Sequence, residues 1–314
     1  MVVPHAAPGL ISRLGADFFE TCWGKQWTHI ADAFDEPSVH ATVNVASLDA
    51  LLMSGVVSAP DIQLIQRGRA HDLRTGIAPA ATPDVDFLVR SLSQGIGFRI
   101  QHLERYSPSV ARLCRAFEHE VRFPARANLY VSPSQSSGLA PHFDACDEFI
   151  LQVAGEKHWH MFRDYTASTE WPDAETKFSS QMHRPIGEPK SVLLRAGDVL
   201  YIPRGVMHSA YTQDSVSMHL TFSVLGRTWA DFIIQAVRAA SQRNKPLREL
   251  VPFLAPDQVE AEALVEDGLQ MLAGLASRTQ VVETLETSYQ YFRTVTAPAG
   301  FGSLASVLTK SPEP

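Results

Sequence analysis

The stretch "GLAPHFDACDEFILQVAGEKHW", residues 138–159, sets an apolar run beside groups that such a run normally excludes. Glu148 to Ala154 reads as a buried strand that stops at Gly155. His142 and Asp144 come just before it, two residues apart. On an extended chain, residues i and i+2 project to one face. That geometry suits two ligands of a single metal ion.

A third donor is found in "GDVLYIPRGVMH", residues 197–208. Gly-Asp opens a turn, Val199 to Ile202 forms a short strand, Pro203-Arg204-Gly205 turns again, and His208 starts the next strand. Two imidazoles and one carboxylate form the facial set typical of non-haem Fe(II), with coordination positions left open. A structural zinc site instead closes its shell with a fourth donor, often cysteine. Cys146 is the nearest candidate, yet one strand does not readily turn three ligands toward one tetrahedral ion. In a chain with 12 histidines an isolated H-x-D also arises by chance. His158 and His160 form a second i, i+2 pair without a carboxylate partner and read as surface or core side chains. His219, inside "SMHLTFS", reads as a structural strand residue.

Lys157 follows the Gly155 turn at the head of another apolar segment. A lysine pointing into a barrel needs an anion, because an unpaired buried ammonium is costly. A dicarboxylate with one end on the metal and the other on Lys157 meets that need.

Around these segments the hydrophobic period changes twice. From Leu10 to about Glu118 it is mostly helical and mixed, as in "DFFETCWGKQWTHI", with Phe18, Phe19, Cys22 and Trp23 on one face. From about Ala125 to Val224 short β-branched and aromatic runs alternate with Gly, Pro, Ser and Asp, which implies a sandwich or barrel. From Thr228 helices return. "TWADFIIQAVRAASQR", "DQVEAEALVEDGLQMLAGL" and "QVVETLETSYQYFRTV" are amphipathic, and residues 296–314 read as a weakly structured tail. The long stretch Arg163 to Pro185 lies between core strands, where such loops act as lids or binding loops.

Composition narrows the function classes. With 45% hydrophobic residues in 314, the chain can build a sizeable core. A net charge of −7 argues against direct nucleic-acid binding, which needs a basic face. Three widely spaced cysteines form no disulfide framework and point to the reducing cytoplasm. No apolar stretch is long enough to span a membrane, and "MVVPHAAPGLISRLG" lacks the features of a secretion signal. There is no G-x-S-x-G, no Walker A and no G-x-G-x-x-G after a strand.

The two segments resemble the cupin motifs. "HFDACDEFILQVAG" fits H-x-[HD]-x3-E-x6-G, and "GDVLYIPRGVMH" fits G-x5-P-x-G-x2-H. The longer string "NLYVSPSQSSGLAPHFDACDEFILQVAGEKHW", residues 128–159, is similar to the JmjC-type 2-oxoglutarate oxygenases, above all the ribosomal oxygenases. "DFFETCWGKQW" and "HLTFSVLGRTWADFI" resemble the same family, so the likeness covers roughly Phe18 to Ile233.

The resemblance implies a double-stranded β-helix (the cupin or jelly-roll barrel), mainly β, with N-terminal helices and a C-terminal helical region. It implies a JmjC-type domain over residues 1–228 with its barrel at about 125–226, then a helical dimerisation region at 229–295. His142, Asp144 and His208 become the Fe(II) ligands. Lys157 becomes the anchor for the distal carboxylate of 2-oxoglutarate, and Asn128, Tyr130, Ser223 and Thr221 complete the co-substrate pocket. The implied reaction couples O2 and 2-oxoglutarate to hydroxylation of an amino-acid side chain in a peptide or protein, by a homodimer. Too little chain follows Thr228 for the winged helix carried by that family, so a peptide natural-product precursor stands beside a ribosomal protein as expected substrate. N-demethylation would use the same machinery. A non-oxygenase cupin, either an isomerase or a small-molecule binding protein, is the reading from another class.

Overall fold

Period-two alternation sorts the strand side chains into two environments, and that sorting builds the barrel. Thirteen strands lie among the described residues, and every pair is antiparallel. They are β1 (Thr28–Ile30), β2 (Ile62–Gln66), β3 (Arg69–Asp72), β4 (Gly97–Ile100), β5 (Ala125–Ser132), β6 (Asp147–Ala154) and β7 (Glu156–Phe162). Then follow β8 (Asp164–Tyr165), β9 (Pro185–Ile186), β10 (Lys190–Arg195), β11 (Val199–Ile202), β12 (Met207–Tyr211) and β13 (Ser217–Val224). The structure is a computed structural model that describes residues 10–72, 85–162, 164–165, 183–224, 226, 228–243 and 245–249, with Glu266, Gly268 and Gln270. The chain divides into two compact units, Met1–Gly226 and Arg227–Pro314.

In the first unit a major sheet runs β1-β11-β6-β13-β5-β4-β2-β3, and a minor sheet runs β10-β7-β12. One face of the major sheet packs on the N-terminal helices. Phe149, Leu151 and Val153 of β6, Leu129 and Val131 of β5, and Leu220 and Phe222 of β13 all belong to that core. The alternate residues face the minor sheet. Ile150, Leu200 and Ile202 there meet Trp159, Met161 and Leu194 in a second buried cluster. Two sheets closed over a shared interior form a jelly-roll core.

The helices α1 (Phe18–Thr21), α2 (Glu36–Thr42), α3 (Val45–Met53), α4 (Val85–Ser93) and α5 (Pro108–Val121) precede the barrel strands or cover them. In α5 the Ser107 hydroxyl accepts from the Val110 N–H, Pro108 opens the helix, and Arg122 at φ 63° ends it. Its buried residues Val110, Cys114, Phe117 and Val121 fall on one face, and Phe117 packs 4.7 Å from Phe149. The N-terminal segment is tied down by Tyr201. The Tyr201 phenol donates to Asp147 Oδ1 at 2.5 Å and accepts from the Gly24 N–H at 2.8 Å.

Three readings of the sequence change. The zone before Glu118 is not only helical, because β1 to β4 lie within it and extend the barrel's own major sheet. The helix at "DFFETCW" stops at Thr21; Phe18 is buried while Phe19 is 45% exposed, and Trp23 stacks from the following turn. The H-x-D segment is no strand: His142 forms an isolated bridge to His208, and Asp144 sits in the loop before β6.

The second unit contributes α6 (Trp229–Arg243), which covers the first of the three expected C-terminal helices. The other two, the tail, and most of the Arg163–Pro185 segment lie outside the described residues, apart from single positions and the paired β8 and β9.

Candidate active site

His142, Asp144 and His208 converge, their ligand atoms all within 4.8 Å of one another. Asp144 Oδ2 lies 3.5 Å from His142 Nε2 and 3.5 Å from His208 Nε2. Donors about 2.1 Å from a common ion are at most about 4.2 Å apart, so both separations admit one. The segments are laced by main-chain bonds: His142 N–H to His208 O at 3.0 Å, His208 N–H to His142 O at 2.7 Å, and Gly205 N–H to Asp144 O at 2.9 Å.

The imidazoles are oriented from behind. His142 Nδ1 lies 2.8 Å from Ala140 O, and His208 Nδ1 lies 3.0 Å from Val206 O. A carbonyl can only accept, so each Nδ1 carries the proton and each Nε2 presents a lone pair to the cluster. Burial and the adjacent His142 hold His208 at about 4, so it stays neutral at physiological pH. Cys146 stands outside the cluster, and burial pushes its thiol well above the usual range. This donor set, two imidazoles and one carboxylate with no thiolate, fits Fe(II) with open positions and not a closed zinc site.

One pocket collects the residues expected to hold metal or co-substrate: His142, Asp144, His208, Lys157, Asn128, Tyr130, Thr221 and Ser223 all line it. Strand parity brings them there. Asn128 and Tyr130 share one face of β5, and Thr221 and Ser223 share one face of β13, with Thr221 paired to Asn128 across the strands. Lys157 comes from the minor sheet, carried across by the turn at Gly155, whose φ of +65° and close approach to the Val216 carbonyl admit only glycine.

Lys157 is 3% exposed, and its Nζ donates to Ser132 Oγ at 2.8 Å. No carboxylate among the described residues pairs with it, and burial alone brings it down to about 7. A buried amine whose only partner is a neutral hydroxyl fits an anionic ligand. Burial lifts Tyr130 to about 12, so it remains a phenol, and its oxygen accepts from Arg99 at 3.1 Å. Asn128 Oδ1 accepts from the His102 N–H at 3.2 Å. The Ser223 hydroxyl donates to Glu148 Oε1 at 3.3 Å.

Of the other histidines, His158 and His160 pack around the Tyr211 ring and do not line the pocket. His219, read as a structural strand residue, is buried on β13 and also lines the pocket. Its signal was available in the sequence: His219, Thr221 and Ser223 share one parity on β13, as Ser132 shares that of Asn128 and Tyr130 on β5. Arg99, on β4, had no such signal because its strand was not read.

Residues 99–232 match the JmjC domain family. The bifunctional lysine-specific demethylase and histidyl-hydroxylase NO66 of Dictyostelium discoideum is 34% identical over 166 residues, 51% of this chain and 32% of that protein. Ribosomal oxygenase 1 of Rattus norvegicus is 35% identical over 165 residues, 50% of this chain and 27% of that one. The chain thus spans about a third or less of the length of these curated relatives. YcfD of Escherichia coli, a ribosomal oxygenase solved in complex with cobalt and 2-oxoglutarate, superposes with a TM-score of 0.52 at 17% identity. That superposition covers 86% of this chain and 68% of YcfD. Residues 99–232 of this chain thus match the JmjC domain family, and the chain shares its fold with YcfD.

Proposed function

We propose that this chain is an Fe(II)- and 2-oxoglutarate-dependent oxygenase that hydroxylates an amino-acid side chain within a peptide or protein. The observation that carries this reading is a three-donor cluster facing the same pocket as a buried lysine that has no acidic partner among the described residues. When bound, Fe(II) with 2-oxoglutarate and O2 supplies an oxidant able to attack an unactivated C–H bond, and the co-substrate leaves as succinate and CO2.

The chain's own share is binding and orientation. His142, Asp144 and His208 hold the metal on one face, with the Nε2 lone pairs fixed by the carbonyls of Ala140 and Val206. Lys157 takes the far carboxylate of the co-substrate, and its bond to Ser132 aims the ammonium. Tyr130 offers its phenol proton to the same carboxylate, while Arg99, which lines the same pocket, donates to its oxygen. Asn128, Thr221 and Ser223 line the remaining wall. The Trp159 ring, 5% exposed and 5.9 Å from His208, helps to exclude water.

A protein substrate, either a ribosomal protein or a natural-product precursor, is supported by the relatives named above as a histidyl-hydroxylase and ribosomal oxygenases. The test is incubation of candidate peptides with the protein, Fe(II), 2-oxoglutarate and O2, followed by mass spectrometry. Gain of one oxygen on one residue, with matching succinate, is the expected result. Succinate without any modified peptide would limit the reading to co-substrate turnover, and loss of a methyl group would assign demethylation.

We assign the chain to the cytoplasm because Cys22, Cys114 and Cys146 are all unpaired thiols. Among the described residues no helix is long and apolar enough to cross a membrane. The homodimer is assigned to the C-terminal helices, where α6 exposes Trp229 (80%), Ile233 (55%) and Ile234 (50%). Light scattering at micromolar concentration should return twice the chain mass of 34.6 kDa, and a monomer mass would refute it.

A further inference from the structure

The segment that carries His142 is an arm laid along β12, and it leaves that strand just before the ligand. Ser136 O accepts from the Thr212 N–H at 2.9 Å, and the Gly138 N–H donates to Ala210 O at 2.8 Å. Isolated bridges pair Ser137 with Tyr211 and His142 with His208. Between those bridges the arm has the four residues 138–141, whereas β12 has only Ser209 and Ala210. The two extra residues form a bulge, which interrupts the ladder and re-aims the side chain beyond it. Pro141 has no N–H, so the bulge cannot be tied down through that residue.

The tip of the β2–β3 hairpin holds it from the other side. Gly68 bridges to Leu139, and its carbonyl accepts from the Ala140 N–H at 2.9 Å. Ala140 is also the residue whose carbonyl lies 2.8 Å from His142 Nδ1. The hairpin is rooted in the major sheet by the pairing of β2 with β4 and by buried Ile62 and Ile65. It turns through Arg67 and Gly68 at φ 51° and 76°. A Cβ on Gly68 would stand 3.1 Å from Ala140 Cβ and 3.2 Å from Ala140 N, so tip and bulge meet main chain to main chain. Taking the metal site proposed above as given, we infer that Gly68 is a positioning residue whose carbonyl braces the bulge and so fixes the His142 ring toward the metal. The N–H and C=O of Ala140 flank one Cα, and holding the first limits rotation of the second.

The test titrates Mn(II) by calorimetry into the full chain and two variants. Gly68→Ala sets a Cβ against Ala140, whereas Gly95→Ala sets one at φ +78° with no atom within 4 Å. The two share backbone strain and differ in the contact. Gly68→Ala should bind Mn(II) about tenfold more weakly, the low end of what a metal site loses with a supporting partner. Gly95→Ala should bind it as the wild type does. Equal affinity in all three proteins, or equal loss in both variants, would overturn the brace. Unaltered protein gives a second measurement that does not depend on any variant's folding. Coupling between two equilibria is reciprocal, so saturating Zn(II) should slow amide exchange at Ala140 by a similar factor. It should slow exchange less at Gly138, whose N–H stays on β12. No slowing, or equal slowing at both amides, would overturn the inference. Wild-type protein that bound neither ion would overturn the metal reading, and the brace with it.

Discussion

Replacing Lys157 with methionine should stabilise the ligand-free protein and weaken co-substrate binding at once. Burial takes the ammonium from about 10.5 to about 7 on folding. The unfolded chain therefore holds the proton more tightly. The group subtracts stability fully below about pH 7 and progressively less as pH rises from 7 to about 10.5. At about 1.36 kcal/mol for each pKa unit, the cost is about 5 kcal/mol in acid and about 4 at pH 7. Methionine keeps the stem's volume but leaves the Ser132 hydroxyl without its donor, which returns about 1–3 kcal/mol. The net gain is about 1–3 kcal/mol, a rise in Tm of several degrees for a domain of this size. Against that, losing a charge-assisted bond worth about 1.5–3 kcal/mol weakens 2-oxoglutarate by roughly 10- to 150-fold. Thermal unfolding without ligand and calorimetry on Mn(II)-loaded protein read the two effects separately. A variant with lower Tm and unchanged affinity would show that Lys157 serves the fold and anchors nothing.

The same lysine sets a pH dependence. The dicarboxylate takes the ammonium form, so affinity should fall by up to tenfold per pH unit above about pH 7, with proton uptake on binding; a flat profile from pH 7 to 9 would contradict this. Wild-type protein should carry one Fe(II) or Mn(II) per chain, and the His142→Ala/His208→Ala double variant should fold yet retain none by elemental analysis. Full occupancy in that variant would move the metal elsewhere. Gly155→Ala would set a Cβ 1.8 Å from the Val216 carbonyl at φ +65°, so its denaturant midpoint should drop by the equivalent of about 3 kcal/mol or more. An unchanged midpoint would mean that the turn can relocate freely.

How far the sequence discloses this site depends on whether neighbours in space are also neighbours in pattern. Asn128, Tyr130, Thr221 and Ser223 owe their facing to strand parity, which is a local property, although their roles came only through family resemblance. His142 and Asp144 were legible as chemistry but not as conformation. Their segment is held by bonds to the chain around residues 205–208, contacts that no local period records. The strands β1 to β4 escaped for a similar reason. β3, "RAHD", is exposed at every position, and β1 has only three half-buried residues, so neither alternates. They become strands because the edges of the major sheet offer them partners, a long-range cause that overrides weak local preference.

The lacing between the two ligand segments has a bearing on how the protein handles metal supply. The bonds that join residue 142 to residue 208, and Asp144 to Gly205, use main-chain atoms, and the imidazoles are steadied through Nδ1. A metal ion uses none of these atoms. Ion loss therefore breaks coordination bonds and nothing else, unlike in a zinc finger, where metal and fold depart together. A metal held by these residues would then exchange on a folded chain, at a rate set by its own ligands and not by unfolding. A cell short of iron would then accumulate intact, idle protein that recovers on resupply without new synthesis.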